Sequence, residues 1–177
     1  MQKIKKSIYV YLIAICFSVF FYQCCTDQYK ITGAGELTIQ DQNSSRVDTI
    51  TGAFFIFNDL EFEVASHDFE LGIINSTWAT SCEINHINPI DEETIALTLS
   101  NDIEFNGELI PAGSNILDRN LEGINTSFYE ATIMVIFSSD FLDNASIPNG
   151  AYTLNLSAET ADQLLIQNEI STVFAFN

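Results

Sequence analysis

The chain has 177 residues, of which 24 are acidic and six are basic, and its formal net charge is −18. Such an acidic surface repels nucleic acid and anionic lipid head groups, and it would attract a cation or a basic partner. Because hydrophobic residues make up 47% of the chain, it is not a disordered acidic tail and it can bury a core.

A basic segment followed by an uncharged apolar segment opens the chain. Lys3, Lys5 and Lys6 precede an apolar run over residues 8–22. This run is shorter than the roughly 20 residues that a membrane-spanning helix needs, and its length is typical of a signal peptide. We therefore predict a lipoprotein signal peptide at residues 1–23, with an uncleaved membrane anchor as the alternative.

Two adjacent cysteines, Cys24 and Cys25, directly follow the apolar run. No small-residue site for ordinary signal cleavage precedes them, and a cysteine in this place resembles a bacterial lipobox, although Phe21 and Gln23 fit that motif loosely. We predict lipidation of Cys24, with Cys25 as the alternative. Acyl chains on this cysteine would hold the protein at a membrane through a lipidated tether at residues 24–32.

From residue 33 onward, apolar and polar residues alternate with a period of two, which is typical of half-buried strands. The alternation is clearest over residues 60–65, 95–100 and 152–157. Residues 53–57 and 128–137 are more continuously apolar, which predicts central strands covered on both faces.

Turn-forming residues separate these predicted strands. Asn106 and Gly107 lie between two short apolar segments and predict a hairpin whose two central residues have positive φ. Residues 158–168 fit either a short helix or a hairpin, and residues 173–176 would form the closing strand. Many short strands with frequent turns predict an all-β fold, a single β-sandwich of Ig-like, Greek-key type at residues 33–177. A partly open β-barrel is the alternative.

Oxygen-bearing side chains occupy alternate positions at Asp118, Asn120 and Glu122, just before Gly123. This spacing resembles the first half of a calcium-binding loop. The second half does not match, because the twelfth position is Tyr129 rather than a glutamate. The sequence therefore offers calcium as a candidate ligand here, with an ordinary polar turn as the alternative.

The remaining carboxylates and metal-ligating residues do not form a recognisable motif. They are residues 91–93, Asp140 with Asp143, and His67 and His86 with Asp68, Glu70 and Cys82. The separation of the two histidines matches no metal-binding spacing, and no serine or cysteine stands in a recognisable catalytic frame. We expect no catalytic residue and, apart from calcium, no cofactor.

Four short segments of the chain are distinctive when taken together: Cys24-Cys25 with Thr26 and Asp27, residues 29–33 (Tyr-Lys-Ile-Thr-Gly), residues 110–113 (Ile-Pro-Ala-Gly) and residues 147–154 (Ile-Pro-Asn-Gly-Ala-Tyr-Thr-Leu). With these segments the chain resembles small lipoproteins of unknown function from Bacteroides-type bacteria. The resemblance spans most of the chain after the signal peptide. It implies a β-sandwich domain anchored by lipid at the outer membrane or cell surface, with the periplasmic face as the alternative, and it adds no site residue.

An acidic β domain without a recognisable catalytic constellation predicts a non-enzymatic, lipid-anchored envelope protein. Its partner would be an envelope protein, a glycan or a cation. The competing class is a cell-surface hydrolase such as a glycosidase, which would need a cleft with convergent carboxylates. A structural scaffold of an envelope or adhesin assembly is the third alternative.

Overall fold

The computed structural model describes residues 28–66, 85–129 and 131–176, and strands dominate these segments. In chain order the strands are β1 (Gln28–Asp41), β2 (Thr49–Ile50), β3 (Phe54–Ser66), β4 (Asn85–His86), β5 (Ile90–Leu99), β6 (Ile103–Phe105), β7 (Glu108–Ile110), β8 (Ile124–Tyr129), β9 (Thr132–Phe137), β10 (Ala145–Ser146), β11 (Gly150–Thr160) and β12 (Leu165–Phe174). A short helix, α1 (Ser139–Asn144), connects β9 to β10, and a 3-10 turn spans Leu117–Arg119.

Several predicted features fall outside the described residues. They are the signal peptide at residues 1–23, the lipidation candidates Cys24 and Cys25, and His67, Asp68, Glu70 and Cys82. The predictions made for these residues stay predictions.

The larger sheet, sheet A, has the strand order β4-β1-β3-β9-β8. Its neighbouring strands are antiparallel, apart from the parallel pair β1 and β4. The register between β1 and β3 shifts at three places. Such irregularities bend a strand and increase its twist, which lets a long strand curve over a core.

Sheet B has the strand order β2-β12-β11-β5, and three short strands form a separate small sheet in the order β10-β6-β7. β11 and β12 form a regular hairpin from the pair Gly150 and Phe174 to the pair Glu159 and Leu165. β2 pairs with β12 in parallel, so the last strand of the chain lies inside the sheet.

Sheets A and B pack face to face through alternate side chains of their strands. Phe54 of β3 stacks on Phe137 of β9 with ring centroids 4.4 Å apart, and Phe174 of β12 meets Phe54 edge-on at 5.8 Å. Rings from both sheets therefore share one core. Among the described residues, sheets A and B have no strand pairing with each other. The predicted β-sandwich is confirmed, and the barrel alternative is not observed.

A partly buried polar bridge connects the two sheets. The Nδ2 of Asn168 in β12 donates to the backbone oxygen of Gly35 in β1 at 2.8 Å and to the Oδ1 of Asn58 in β3 at 3.1 Å. Asn58 is almost fully buried, and the bridge satisfies its Oδ1, whereas its buried Nδ2 has no hydrogen-bond partner among the described residues. Because the two hydrogen bonds of Asn168 form in only one relative position of the sheets, this bridge favours that alignment over others.

The predicted hairpin at Asn106 and Gly107 is confirmed. β6 and β7 pair in antiparallel fashion, and the two turn residues have φ values of 50° and 81°. Residues 158–168 also form a hairpin rather than a helix, because β11 and β12 pair along nearly their whole length. Thr160 stabilises that turn by accepting a hydrogen bond from the Leu164 N–H at 3.0 Å.

The prediction of one central strand over residues 128–137 is wrong. The segment contains the end of β8 and all of β9, which pair with each other as a hairpin. β9 is interior, with Ile133 and Val135 fully buried, whereas β8 lies at the edge of sheet A.

The described domain also begins earlier than residue 33. β1 starts at Gln28, and Ile31 is fully buried. Residues 28–32, predicted as part of the tether, therefore belong to sheet A, because burying Ile31 and pairing its backbone stabilises them there.

Candidate interaction surface

The outer face of sheet A carries an apolar patch. Along β3, Phe54 and Ile56 are buried in the core, so Phe55 and Phe57 project from the opposite face, where both are half-buried. Phe55 lies opposite Ile136 and Phe57 lies opposite Met134 on β9. We define these four side chains, Phe55, Phe57, Met134 and Ile136, as the outer apolar patch.

Polar residues border the outer apolar patch on the side of β1. The guanidinium of Arg46 forms two hydrogen bonds to the carboxylate of Glu36, at 2.6 Å and 2.7 Å. These hydrogen bonds hold the pKa of Glu36 below its ordinary value. On β3, Asp59 accepts a hydrogen bond from the hydroxyl of Thr132 at 2.9 Å. The patch is thus an apolar area with a charged rim, as protein-binding surfaces commonly are.

Every Lys and Arg of the described residues is paired with a carboxylate. The ion pairs are Arg46 with Glu36, Arg119 with Glu108 at 3.0 Å, and Lys30 with Asp162 at 3.7 Å. Because all three cations are neutralised locally, the surface charge is set by the many remaining carboxylates. The field around the domain therefore favours a basic partner.

A second group of aromatic side chains lies at one end of sheet A. Phe62 contacts Tyr29 edge-on at 5.4 Å and His86 at 6.1 Å, and Phe128 lies 6.5 Å from His86. Phe62 and Val64 keep the predicted alternation of β3 but are each 43% exposed. The two strands that hold Phe62 and His86 border residues 67–84, outside the described residues.

The calcium candidates lie around the 3-10 turn. The carboxylate of Asp118 accepts a hydrogen bond from the Nδ2 of Asn115 at 2.6 Å, and Asn120 adopts the left-handed conformation with φ of 48°. Asp118, Asn120 and Glu122 are all exposed. Among the described residues, no group of three or more His, Cys, Asp and Glu side chains is placed to hold a metal ion. Asn120 would contribute an amide oxygen, and asparagine is not one of these four residue types. The absence of such a group therefore does not test a site that uses Asn120, and calcium binding stays a prediction.

The other carboxylate groups of the described chain are exposed on separate elements. Residues 91–93 lie at the start of β5, where the Asp91 carboxylate accepts the Glu93 N–H at 3.1 Å. Asp140 and Asp143 lie on α1. No structural feature brings these two groups together, so they form parts of the acidic surface.

The carboxylate of Asp162 is expected to make stability depend on pH. The Thr160 hydroxyl and the Asn88 amide donate to it, and these hydrogen bonds lower its pKa below the ordinary 3.8. A lowered folded-state pKa contributes stability above the unfolded-state pKa, and this contribution is lost as pH falls through the folded-state value. The Tm difference between the natural protein and Asp162→Asn should therefore shrink below about pH 4. A difference that is constant with pH would contradict this expectation.

Two shallow depressions on the described surface have volumes of about 190 Å³ and 220 Å³. Pockets that bind small molecules commonly enclose about 300–1,000 Å³. The first depression is lined mainly by residues 41–54 of the turn between β1 and β3, and the second by Phe105, Ile110, Arg119 and neighbouring residues. Neither depression is lined by a side chain of the outer apolar patch.

The sequence predicts that residues 53–57 are covered on both faces, and this prediction is wrong for Phe55 and Phe57, which are half-buried on the outer face. The outer apolar patch was therefore not predicted from the sequence. The run Phe54-Phe55-Ile56-Phe57 is apolar at every position, so its period cannot show which side chains face the core. The pairing of β3 with β9 provides that information, since it places Met134 and Ile136 beside the two outward phenylalanines.

Comparisons with known proteins place this chain in no family. No family model matches the sequence, and no curated protein matches it. A solved structure, the major pilin subunit BcpA of Bacillus cereus, is similar at 8% identity with a TM-score of 0.21, covering 86% of this chain and 69% of that one. In the part of the chain that the structure describes, no helix has the length and apolar character needed to cross a bilayer.

Proposed function

We propose that this protein is a lipid-anchored component of the bacterial envelope that acts by binding a partner protein. The observation that carries the proposal is the outer apolar patch, in which half-buried phenylalanine, methionine and isoleucine side chains lie side by side on the outer face of an otherwise acidic domain. Monomeric proteins rarely leave such an area uncovered unless it binds something.

A protein partner fits the patch better than a small ligand does. The side chains of the patch are half-buried and line neither of the two depressions, so the patch suits a broad complementary surface better than an enclosed small ligand. Aromatic and methionine side chains are enriched at protein interfaces, and the paired charges of Arg46 and Glu36 provide a polar rim.

Photocrosslinking in cells tests this proposal. The crosslinking residue p-benzoylphenylalanine is placed at Phe57 in the full chain, and in a control chain at the exposed Gln167 on sheet B. We expect one discrete crosslinked protein with the Phe57 chain and none with the Gln167 chain. Adding Met134→Glu to the Phe57 chain should reduce that product. Equal labelling from both positions, or no protein product from Phe57, would refute protein binding through the patch.

The proposed anchoring of the protein to a membrane is tested separately. The proposal assigns lipid to Cys24 or Cys25, because these cysteines follow the apolar run directly. The double variant Cys24→Ala, Cys25→Ala cannot carry the acyl groups, and because no small-residue cleavage site precedes the cysteines, it should also keep residues 1–23. Its mass should therefore differ from that of the natural mature protein, and an unchanged mass would rule out lipidation.

A further inference from the structure

Beyond its two-residue pairing with β4, the outer edge of β1 is protected by a side chain from another element. The Asn88 amide accepts the Ile31 N–H at 2.7 Å and donates to the Ile31 oxygen at 3.0 Å. This side-chain amide occupies backbone groups that another strand could otherwise pair with.

The outer edge of β5 in sheet B is protected by a loop. Asn115 Oδ1 accepts the Leu97 N–H at 3.0 Å, and the Ile116 N–H donates to the Leu97 oxygen at 2.9 Å. The Gly113 N–H donates to the Leu99 oxygen at 2.9 Å. This edge is therefore also closed to an incoming strand.

β8, at the far edge of sheet A, differs from these edges. The Ser138 N–H donates to the Gly123 oxygen at 2.9 Å, and backbone bonding alternates along an antiparallel pair. Asn125 and Ser127 therefore direct their backbone groups toward β9, whereas Thr126 and Phe128 direct theirs outward. Within the described segments, no backbone or side-chain hydrogen bond from another element reaches the outward groups of Thr126 and Phe128.

The sequence of β8 also lacks the usual protection of an edge strand. Exposed edges are normally shielded by lysine, proline or a bulge. β8 has the sequence Ile-Asn-Thr-Ser-Phe-Tyr, with no charge and no proline, and its six pairs with β9 run without a register shift. Asn125, Thr126 and Ser127 are all exposed. The strand is thus a flat template for further pairing.

We infer that the β8 edge binds an extended strand of a partner protein, which adds to sheet A as a sixth strand. This inference rests on the proposed function and identifies how the partner would bind. An added strand would place alternate side chains on the outer face beside Asn125 and Ser127, on the same face as Met134 and Ile136.

The negative charge around β8 favours a basic partner strand. Glu122 directly precedes β8, and α1, which carries Asp140 and Asp143, lies against Gly123. The cations of the described residues are all engaged in ion pairs. A partner strand with alternating basic and apolar residues is therefore complementary, whereas a second copy of this chain, with the same net charge of −18, would be repelled.

Two peptides test the inference on the isolated full-length mature protein. The first is a short, end-blocked peptide in which lysine and valine alternate, and the second has the same side chains with every backbone amide N-methylated. Both carry the same charge, but only the first can donate backbone hydrogen bonds to β8. We expect N-methylation to weaken binding at least about tenfold, and the first peptide to slow amide exchange at Thr126 and Phe128.

A proline at the edge provides the matched variant. Thr126→Pro removes an outward N–H and leaves the bonds between β8 and β9 in place, so it should retain the fold and lose at least about tenfold in peptide affinity. Thr126→Ala keeps the N–H and should bind like the natural protein. The exchange measurement on the natural protein decides the question if Thr126→Pro does not fold.

Three results would overturn the inference. They are equal binding of both peptides, no protection of Thr126 and Phe128, or a dimer of the natural protein formed through β8. If any of these is found while the Phe57 crosslink persists, strand addition fails and the proposed binding function stands. If the Phe57 crosslink is absent, the proposed function itself fails.

Discussion

Replacing Phe54 with alanine is expected to lower the free energy of unfolding by about 3–5 kcal/mol. Phe54 is 2% exposed, stacks on Phe137 at 4.4 Å and contacts Phe174 of the opposite sheet at 5.8 Å. Removing its ring would leave a cavity at the junction of sheets A and B, and the two remaining rings would lose their shared contact. Chemical denaturation followed by intrinsic fluorescence or circular dichroism measures the change.

The neighbouring residue provides the control. Phe55 lies in the same strand but faces outward and is half-buried, so Phe55→Ala should cost only about 1 kcal/mol. If Phe54→Ala prevents folding, Phe54→Leu keeps most of the volume and should cost about 1–1.5 kcal/mol. Equal losses for Phe54→Ala and Phe55→Ala would contradict the assignment of the two faces of β3.

Gly123→Ala is expected to cost about 3 kcal/mol, for two separate reasons. Gly123 has φ of 83°, where a side chain is strained, and an added Cβ would lie 2.3 Å from the backbone nitrogen of Phe141 and 2.7 Å from the Ser138 Oγ. A backbone atom of α1 cannot move aside cheaply. The substitution should therefore displace α1 from the start of β8, which thermal denaturation would detect as a lower Tm.

Gly113→Ala separates strain from crowding. Gly113 has a similar φ of 76°, but an added Cβ would have no other atom within 4 Å beyond its own chain neighbours. Its replacement should therefore cost only the conformational penalty of about 1–2 kcal/mol. If Gly113→Ala and Gly123→Ala are equally destabilising, the close packing of Gly123 against α1 makes no contribution.

Features set by local chemistry could be predicted from the sequence. Asn106 and Gly107 tolerate positive φ, so their hairpin follows from two residues and their apolar neighbours. The alternation of Tyr152, Leu154 and Leu156 likewise identifies a strand with one buried face, and all three side chains are buried. The all-β class follows from many such local signals together.

Features that depend on which strands pair with each other could not be predicted from local sequence patterns. Residues 128–137 form parts of two strands, but no glycine or proline marks the link between them, so the apolar run predicts a single strand. Phe62 and Val64 keep the period of a half-buried strand and are nevertheless exposed. Burial there depends on how far the opposite sheet extends, which the local pattern does not contain.

The same limit applies to the candidate surface. The outer apolar patch and the open edge of β8 arise from the strand order of sheet A, which brings Phe57 next to Met134 and leaves Thr126 without a described strand on its outer side. Composition predicts only that the surface is acidic and that a basic partner would be favoured.

The last strand of the chain occupies the interior of sheet B, between β2 and β11. Its Phe174 lies 4.7 Å from Tyr152 and also contacts Phe54 across the core. A chain that emerges N-terminus first can pair all of sheet A before residue 138, yet the inner face of that sheet then still lacks most of its cover. Folding therefore cannot be completed until the C-terminal ten-residue strand has been delivered, and a chain halted before it would expose an aggregation-prone sheet.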